Sequence, residues 1–275
     1  MQGNRWHRYV SRLWLGGVFL FFYLPLMFLV VFSFNSTRQD SQFTGFSLRW
    51  YQALGQDTRL VEGFLLSLNV ALLSATLATV LATLAAYALI RFGAFKGRSL
   101  FNAMLSSPLV MPEVIIGLSL LLLFVGMERM LGWPERGATT IILGHALLGM
   151  AYATVVVQSR LKEMDRSIEE AALDLGCRPY QVFFLVTLPN ISQALVAAWL
   201  LTFTLSFDDV VISEFLSGPG VTTLPQVIFS YARRGVNPSI YAAATLLMAV
   251  VSLAVVFYGV HTARKMRREA YRPLD

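Results

Sequence analysis

Four acidic side chains interrupt the long apolar stretches of this sequence, and no Lys or Arg lies in those stretches to neutralise them: Glu113, Asp208, Asp209 and Glu214. A carboxylate in hydrocarbon is costly unless it faces protein or water, so acids at such positions are functional candidates by default. An ammonium group that gives up its water needs a compensating negative charge nearby. The pattern therefore predicts a path for a small cationic solute.

Glu113 follows two prolines, Pro108 and Pro112, within its apolar stretch. Proline removes a helix hydrogen bond, so this pair permits a broken helix beside a cavity. Counted along one helix that rises from Leu100, Glu113 lies about 20 Å up its span. A structural hydrogen bond to a neighbouring span is the alternative role for this carboxylate.

Asp208 and Asp209 are neighbours, and neighbouring residues of a helix point about 100° apart. Counted from Ile191, the pair lies about 27 Å along its span, toward the outer leaflet. We expect one carboxylate to line the path and the other to cap a helix or bind backbone. A helix-end or interfacial role for the pair stays open, and Glu214 is equally consistent with the external mouth.

Aromatic residues and a single histidine accompany these acids. The aromatic residues are Trp199, Phe203, Phe207 and Tyr241. One role for their rings is cation–π contact with an amine, although core packing is the more ordinary role of such residues. His145 stands alone in its stretch, which favours a hydrogen-bonded core histidine over a metal ligand. One cysteine and three scattered histidines predict no metal site, and no catalytic or nucleotide-binding motif predicts an enzyme.

Apolar runs long enough to cross a membrane must position these side chains. Of the 275 residues, 56% are apolar and 14% charged, which excludes an ordinary soluble domain. Backbone in lipid must satisfy its own hydrogen bonds, and strict alternation is absent, so helices are expected. We predict one all-α integral membrane domain, residues 1–275, with six transmembrane helices of about 20 residues or more, at 13–34, 64–90, 100–126, 138–158, 190–217 and 240–261.

The basic residues indicate how these helices are oriented. Most of the 22 Lys and Arg residues lie before the first run, in the loops 91–99 and 159–189, and in the tail. The positive-inside rule then places both termini and these loops in the cytoplasm. Because the charges form short juxtamembrane clusters, nucleic acid is excluded as a partner. The first run is too long for a signal peptide and is interpreted as an uncleaved anchor.

The remaining loops then lie outside, at 35–63, around 132–134 and at 218–239. The third contains an apolar stretch too short to span, for which we expect a short helix in the outer face.

The cytoplasmic loop 159–189 is longer than a connection requires and has its own helical periodicity. Four apolar residues share one helix face: Ile168, Ala171, Ala172 and Leu175. Ser167 and Glu170 have capping-box spacing, and Gly176 can end the helix in a left-handed conformation. Pro179 suits the start of a second segment. Because acids outnumber bases here, docking into a groove of a cytoplasmic protein is favoured over rest on anionic lipid.

The same residues resemble the EAA loop of ABC-importer permeases. The pattern consists of Glu170-Ala171-Ala172, then Gly176, then Leu188-Pro189, with Val186 where the family usually has Ile. The resemblance implies a type I, MetI-like permease fold in which this loop is a coupling helix seated in the ATPase subunit. It also implies that Glu170 pairs with a basic residue of the ATPase and that Gly176 supplies the turn.

From about residue 100 onward, several segments look like the putrescine/spermidine permease subunits, as does the stretch after the first run. Examples are "PLVMPEVIIGLSLLLLF", "TFTLSFDDVVISEFLSGPGVTTLP" and "GVNPSIYAAATL". The resemblance implies an inner-membrane permease that works with a homologous second permease, an ATPase dimer and a periplasmic polyamine-binding protein, surrounded by lipid. ATP and Mg²⁺ would be held by the ATPase, with no cofactor on this chain.

Two other interpretations stay open. The first keeps the ABC architecture and changes the cargo to another small, cationic solute. The second is a secondary transporter or channel, which would also carry intramembrane acids but would not need the docking loop.

Overall fold

The computed structural model describes residues 3–37, 42–233 and 239–250, together with 252, 253, 256 and 260. Within these residues the chain is helical, and its only strand-like feature is an isolated antiparallel bridge between Asn35 and Phe46. The described helices are α1 (Gly3–Phe32), α2 (Arg49–Gln56), α3 (Thr58–Arg91), α4 (Arg98–Ser106), α5 (Glu113–Leu131), α6 (Ala138–Glu163), α7 (Arg166–Asp174), α8 (Pro179–Val182), α9 (Leu188–Asn190), α10 (Ser192–Phe207), α11 (Val211–Leu216), α12 (Leu224–Arg233) and α13 (Ser239–Val250).

Four of the described helices are long and apolar enough to cross a membrane: α1 from Tyr9, α3, α5 and α6. A fifth span is formed if the segments Pro179–Asn190 and Ser192–Phe207, which meet at 72°, are counted together. The sixth predicted run, 240–261, contains the shorter helix α13 and ends outside the continuously described residues. By length and composition, the described part of the chain thus has four candidate spans, or five if the bent pair is counted as one span.

The third predicted span, 100–126, is not one helix. It divides into α4, a 3₁₀ turn at Ser107–Leu109, and α5, which continues past 126 to Leu131. Pro108 lies in the 3₁₀ turn, and Pro112 has the extended ψ of 134° just before α5. The two prolines break the helix as the sequence predicts, because neither can donate the hydrogen bond that would continue it.

The fifth predicted span, 190–217, is also divided. A π-helical segment, Phe183–Thr187, leads through α9 to the bend at Ile191, and α10 then ends at Phe207. The helix α11 begins after a gap at 208–210. A single straight helix over this run was therefore the wrong expectation, and the acidic pair lies in the gap.

The segment 62–229 forms one compact unit around α6. Small residues let the helices approach closely, as is usual inside membranes. A β-carbon at Gly149 of α6 would lie 3.2 Å from Ala78 of α3 and 3.2 Å from Thr202 of α10. One buried apolar cluster, including Ile141, Ile212 and Leu216, covers one end of this unit. A second cluster of small and branched residues covers the other end.

The second unit contains residues up to 61 and those from 230 onward. Its α1 has no buried residue in the apolar window that makes the segment Tyr9–Phe32 a candidate membrane span. After α1, Asn35 fixes the loop that follows, since its Oδ1 accepts from Thr44 N (3.0 Å) and its Nδ2 donates to Gln42 O (2.9 Å). Trp50 Nε1 donates to Asn35 O at 2.7 Å.

Gly218 lies where a side chain cannot fit, since a β-carbon there would collide with the backbone carbonyl of Arg136. Because backbone must move to accept it, we expect Gly218→Ala to lower stability by about 1–3 kcal/mol. The measurement is the thermal unfolding midpoint of the detergent-purified protein. Gly126→Ala on α5, which meets nothing within 4 Å, is the matched control and should leave the midpoint unchanged or slightly raised. Equal midpoints for both variants would contradict this packing.

Candidate functional site

The first functional segment is α7, which begins at a different cap from the predicted one. Asp165 is the N-cap, and its Oδ1 accepts from Ser167 N at 3.0 Å. Hydrogen bonds from the backbone and side chain of Ser167 lower the pKa of Asp165. The predicted capping box of Ser167 and Glu170 is therefore wrong. Both Asp and Ser are good caps, and here the aspartate two residues earlier takes the position.

The end of α7 agrees with the sequence. Gly176 has a φ of +87°, which confirms the left-handed turn. Cys177 N donates to Ala172 O (3.1 Å) and Gly176 N to Leu173 O (2.9 Å), the paired bonds of a Schellman motif. Pro179 then opens α8, as expected. The predicted pattern of helix, sharp turn and second segment is confirmed.

The predicted apolar face of α7 points away from the rest of the chain. Ile168 is 46% exposed and Leu175 86% exposed. Ala171 and Glu170 are exposed, and Ala172 is half-buried. The other two residues of the loop pattern lie at the π-helical end, where Leu188 is half-buried and Pro189 exposed. An apolar face left open beside an exposed acid suits binding by a groove on another protein.

The buried side of α7 carries a charge that sequence reasoning missed. Glu169 Oε2 lies 2.8 Å from Arg91 Nε at the end of α3, and Glu169 Oε1 accepts from Thr187 Oγ1 at 2.7 Å. Five acids share this loop, and nothing in their spacing distinguishes Glu169. Arg91 was interpreted only as a topology-setting charge. The contact joins residues far apart in sequence, which periodicity does not report.

Glu113 is the first residue of α5 and is exposed. The straight-helix estimate of about 20 Å was wrong, because the prolines break the helix before this residue. Its carboxylate instead lies at a helix N-terminus, where the helix dipole favours negative charge. The break does leave Glu113 open to whatever occupies the space beside α5.

Asp208 and Asp209 have different environments, as expected. Asp209 caps α11, since its Oδ2 accepts from Ser213 N (2.8 Å) and its Oδ1 from Ile212 N (3.3 Å). Its side chain is 8% exposed, and Oδ2 lies 3.1 Å from His145 Nε2. Asp208 is exposed at the end of α10. Asp209 is therefore the structural member of the pair, and Asp208 is the one available to a ligand.

His145 is a hydrogen-bonded core histidine, as the sequence favours. Its Nδ1 lies 2.6 Å from Ser206 Oγ, which in turn lies 2.9 Å from Ser74 Oγ. Its Nε2 lies 3.2 Å from Ser213 Oγ. The network joins α3, α6, α10 and α11 through buried polar groups. Within it, Asp209 Oδ2 lies 3.1 Å from His145 Nε2.

Glu214 is exposed on α11 and accepts a hydrogen bond from Gln226 Nε2 of α12 at 3.0 Å. The helix α12 is the short helix expected in the third external loop. Gln226 is itself held, because its Oε1 accepts from Thr223 N at 2.8 Å. The Glu214 carboxylate is thus hydrogen-bonded to α12 and is still exposed to solvent.

Three aromatic rings stack along α10 toward Asp208. The ring centroids of Trp199 and Phe203 are 5.4 Å apart, and those of Phe203 and Phe207 are 5.8 Å apart. All three residues are half-buried, and Phe64 of α3 meets Phe207 edge-on at 6.0 Å. The stacked residues end at Phe207, which directly precedes the exposed Asp208 in the chain.

Residues 78–268 match the family model described as "Binding-protein-dependent transport system inner membrane component". The chain belongs to this family. It is 50% identical over 252 residues, 90% of each chain, to the putrescine transport system permease protein PotI of Escherichia coli K12. It is 36% identical over 259 residues to the spermidine/putrescine transport system permease protein PotC of the same strain, covering 93% of this chain and 96% of PotC.

Solved permease structures of the family share the fold. A bacterial ABC transporter that imports alginate matches with a TM-score of 0.72 at 15% identity, covering 95% of this chain and 98% of that chain. The MetNI methionine ABC transporter matches with a TM-score of 0.60 at 19% identity, covering 75% of this chain and 95% of that chain. The predicted all-α, MetI-like ABC permease fold is confirmed, as is the resemblance to polyamine permeases.

The two adjacent aspartates of this permease should differ in their effect on stability. Asp209→Ala removes the cap of α11 and leaves His145 without its acid, so we expect a loss of about 1–3 kcal/mol. Asp208→Ala removes an exposed group and should change stability by no more than about 0.5 kcal/mol. Thermal unfolding of the purified variants measures both. A larger loss for Asp208→Ala than for Asp209→Ala would reverse the assignment.

Proposed function

We propose that this chain is a permease subunit of an ATP-driven ABC importer that carries putrescine or spermidine across the bacterial inner membrane. The observation that carries the proposal is 50% identity to a putrescine permease over nine-tenths of both chains. An ABC permease for a different cation is the second candidate, and the uptake experiment below distinguishes the two.

The arrangement around Asp208 supports a polyamine as cargo. A polyamine has ammonium groups joined by methylene chains, so a path for it needs carboxylates and apolar surface in alternation. The stacked rings of Trp199, Phe203 and Phe207 offer apolar surface and cation–π contact, and Asp208 follows them directly. Exposed Glu113 and Glu214 supply further negative charge, and we assign all three exposed acids to the substrate pathway. Asp209 is assigned an indirect role in this pathway, because it caps α11 next to the exposed Asp208.

The arrangement of α7 supports a separate ATPase subunit as partner. Its apolar face, Ile168, Ala171 and Leu175, is exposed, and Glu170 lies beside it on the same helix. Seating this face in a groove of the ATPase would bury it, with Glu170 near a basic residue. ATP and Mg²⁺ would then bind to the ATPase, since this sequence has no phosphate-binding loop. Both termini and α7 would face the cytoplasm.

The remaining partners follow from the exposed surfaces and the family. The apolar face of α1 would contact lipid or the second, homologous permease subunit. A periplasmic polyamine-binding protein would deliver cargo at the opposite side, where α11 and α12 meet through Glu214 and Gln226.

Uptake of labelled amines tests the cargo. In a strain that lacks this gene, restoring the chain should restore putrescine or spermidine uptake, whereas sulfate and a neutral amino acid should be unaffected. If the restored strain takes up another cationic solute but neither putrescine nor spermidine, the second candidate is favoured.

The carboxylate of Asp208 should matter to uptake more than to folding. Asp208→Asn keeps the size and polarity of the side chain but removes its charge, so we expect amine uptake to fall at least about tenfold while the membrane level of the protein is unchanged. Asp57→Asn, at a half-buried acid that accepts a hydrogen bond from the Tyr231 hydroxyl, is an acid-to-amide control outside the pathway. Equal uptake by wild type and Asp208→Asn would remove Asp208 from the pathway.

Glu170→Ala should uncouple the permease from its ATPase. The exposed carboxylate is lost without disturbing the buried side of α7, so insertion should be normal and substrate-stimulated ATP hydrolysis should fall about tenfold. ATPase activity of the purified complex in proteoliposomes is the measurement. Full stimulation in this variant would exclude the coupling role.

A further inference from the structure

The buried side of α7 contains an ion pair, Arg91–Glu169, that lies away from the exposed face assigned to the ATPase. The side chains of Arg91 and Glu169 are 7% and 10% exposed, and they bring the end of α3 to α7. Arg166 Nη2, at the start of α7, also donates to Arg91 O at 3.5 Å. The nine-residue helix α7 therefore makes two polar contacts with Arg91, the last residue of the 34-residue helix α3.

The second oxygen of Glu169 reaches a different span. Thr187 is fully buried and ends the π-helical segment that leads into α10 through the 72° bend. Its hydroxyl donates to Glu169, and Phe183 at the other end of the same segment meets Tyr87 of α3 edge-on at 4.8 Å. One carboxylate thus touches both α3 and the segment that opens the bent span. Mid-helix π segments are frequent at functional sites.

The guanidinium of Arg91 is incompletely satisfied in this arrangement. Its Nε–H does not meet hydrogen-bond geometry toward Glu169 despite the 2.8 Å separation, and its Nη2 has no hydrogen-bond partner among the described residues. Unused buried donors are unfavourable, so this contact is held chiefly by the attraction between the two charges.

The two spans that Glu169 touches are also joined deeper in the unit. Ser74 of α3 bonds Ser206 of α10, and Trp199 Nε1 donates to Thr76 Oγ1 at 3.1 Å. Ser206 continues through His145 to Asp209, next to Asp208. Hydrogen bonds thus join α3 to α10 as well, in the network that ends at Asp209.

We propose that Glu169 is a positioning residue that transmits movement of α7 to α3 and α10 together, distinct from the surface of α7 that binds the ATPase. The inference rests on the proposed function, since it assumes that an ATPase moves α7. Glu170 and the apolar face bind that ATPase, and Glu169 on the reverse side passes the motion into the membrane.

The quantity that tests this role is the number of ATP molecules hydrolysed per solute transported, measured with the full complex in proteoliposomes. Glu169→Gln keeps the side-chain size and the acceptor for Thr187 but loses the charge that holds Arg91. We expect this ratio to rise at least about fivefold, while ATPase subunit co-purifies at the wild-type level. Thr187→Val, which deletes one hydroxyl, should raise the ratio by a smaller factor.

The matched control is Glu163→Gln, which neutralises an exposed acid just before α7 whose surface ion pair is with Arg160. Its ratio should equal that of wild type. An unchanged ratio in both Glu169→Gln and Thr187→Val would overturn the proposal, as would uptake and hydrolysis falling in strict proportion, which is the result of a purely structural role. If Glu169→Gln fails to assemble, the ratio in Thr187→Val decides.

The test separates this inference from the proposed cargo. If the wild-type complex carries a solute other than an amine, the cargo assignment fails, but the ATP-to-solute ratio is measured with that solute and still decides the role of Glu169.

Discussion

A charge held away from water must be compensated, and this constraint separates six acids of the candidate sites into two sets. Glu169 and Asp209 are buried, and each is matched by a basic side chain and by hydrogen-bond donors: Arg91 and Thr187 for the first, His145 and Ser213 for the second. Glu113, Glu170, Asp208 and Glu214 are exposed. The compensated acids hold helices together, and the exposed acids keep a side that solvent can reach.

The backbone obeys a related constraint, and the breaks in the helices follow from it. A helix can stop within a membrane only where other groups or water satisfy its ends. The break before α5 occurs at two prolines, and the gap after α10 is closed by Asp209, which caps α11. Both breaks place an exposed acid, Glu113 or Asp208, beside them. Helix interruption and the placement of exposed acids therefore coincide in this fold.

The sequence predicted the fold class, the apolar helices α1, α3 and α6 and the turn at Gly176 because each depends on local composition or spacing. It also predicted that one of Asp208 and Asp209 would cap, but not which one, since that depends on His145 in another helix. The depth of Glu113 was wrong because a straight helix was assumed across a break that Pro108 and Pro112 themselves indicated. The Arg91–Glu169 contact was missed because no local pattern reports a pair joined only by tertiary packing.

If Asp208 faces a water-filled path for a cation, as we propose, a thiol at this position must be accessible to a charged reagent from water. Cys177 is the only cysteine of the chain, so Cys177→Ser gives a clean background. In the assembled transporter, Asp208→Cys should react with a cationic methanethiosulfonate, and putrescine should slow the reaction. Ala198→Cys, at a fully buried position of α10, should not react. An Asp208→Cys thiol that reacts no faster than Ala198→Cys would contradict the account.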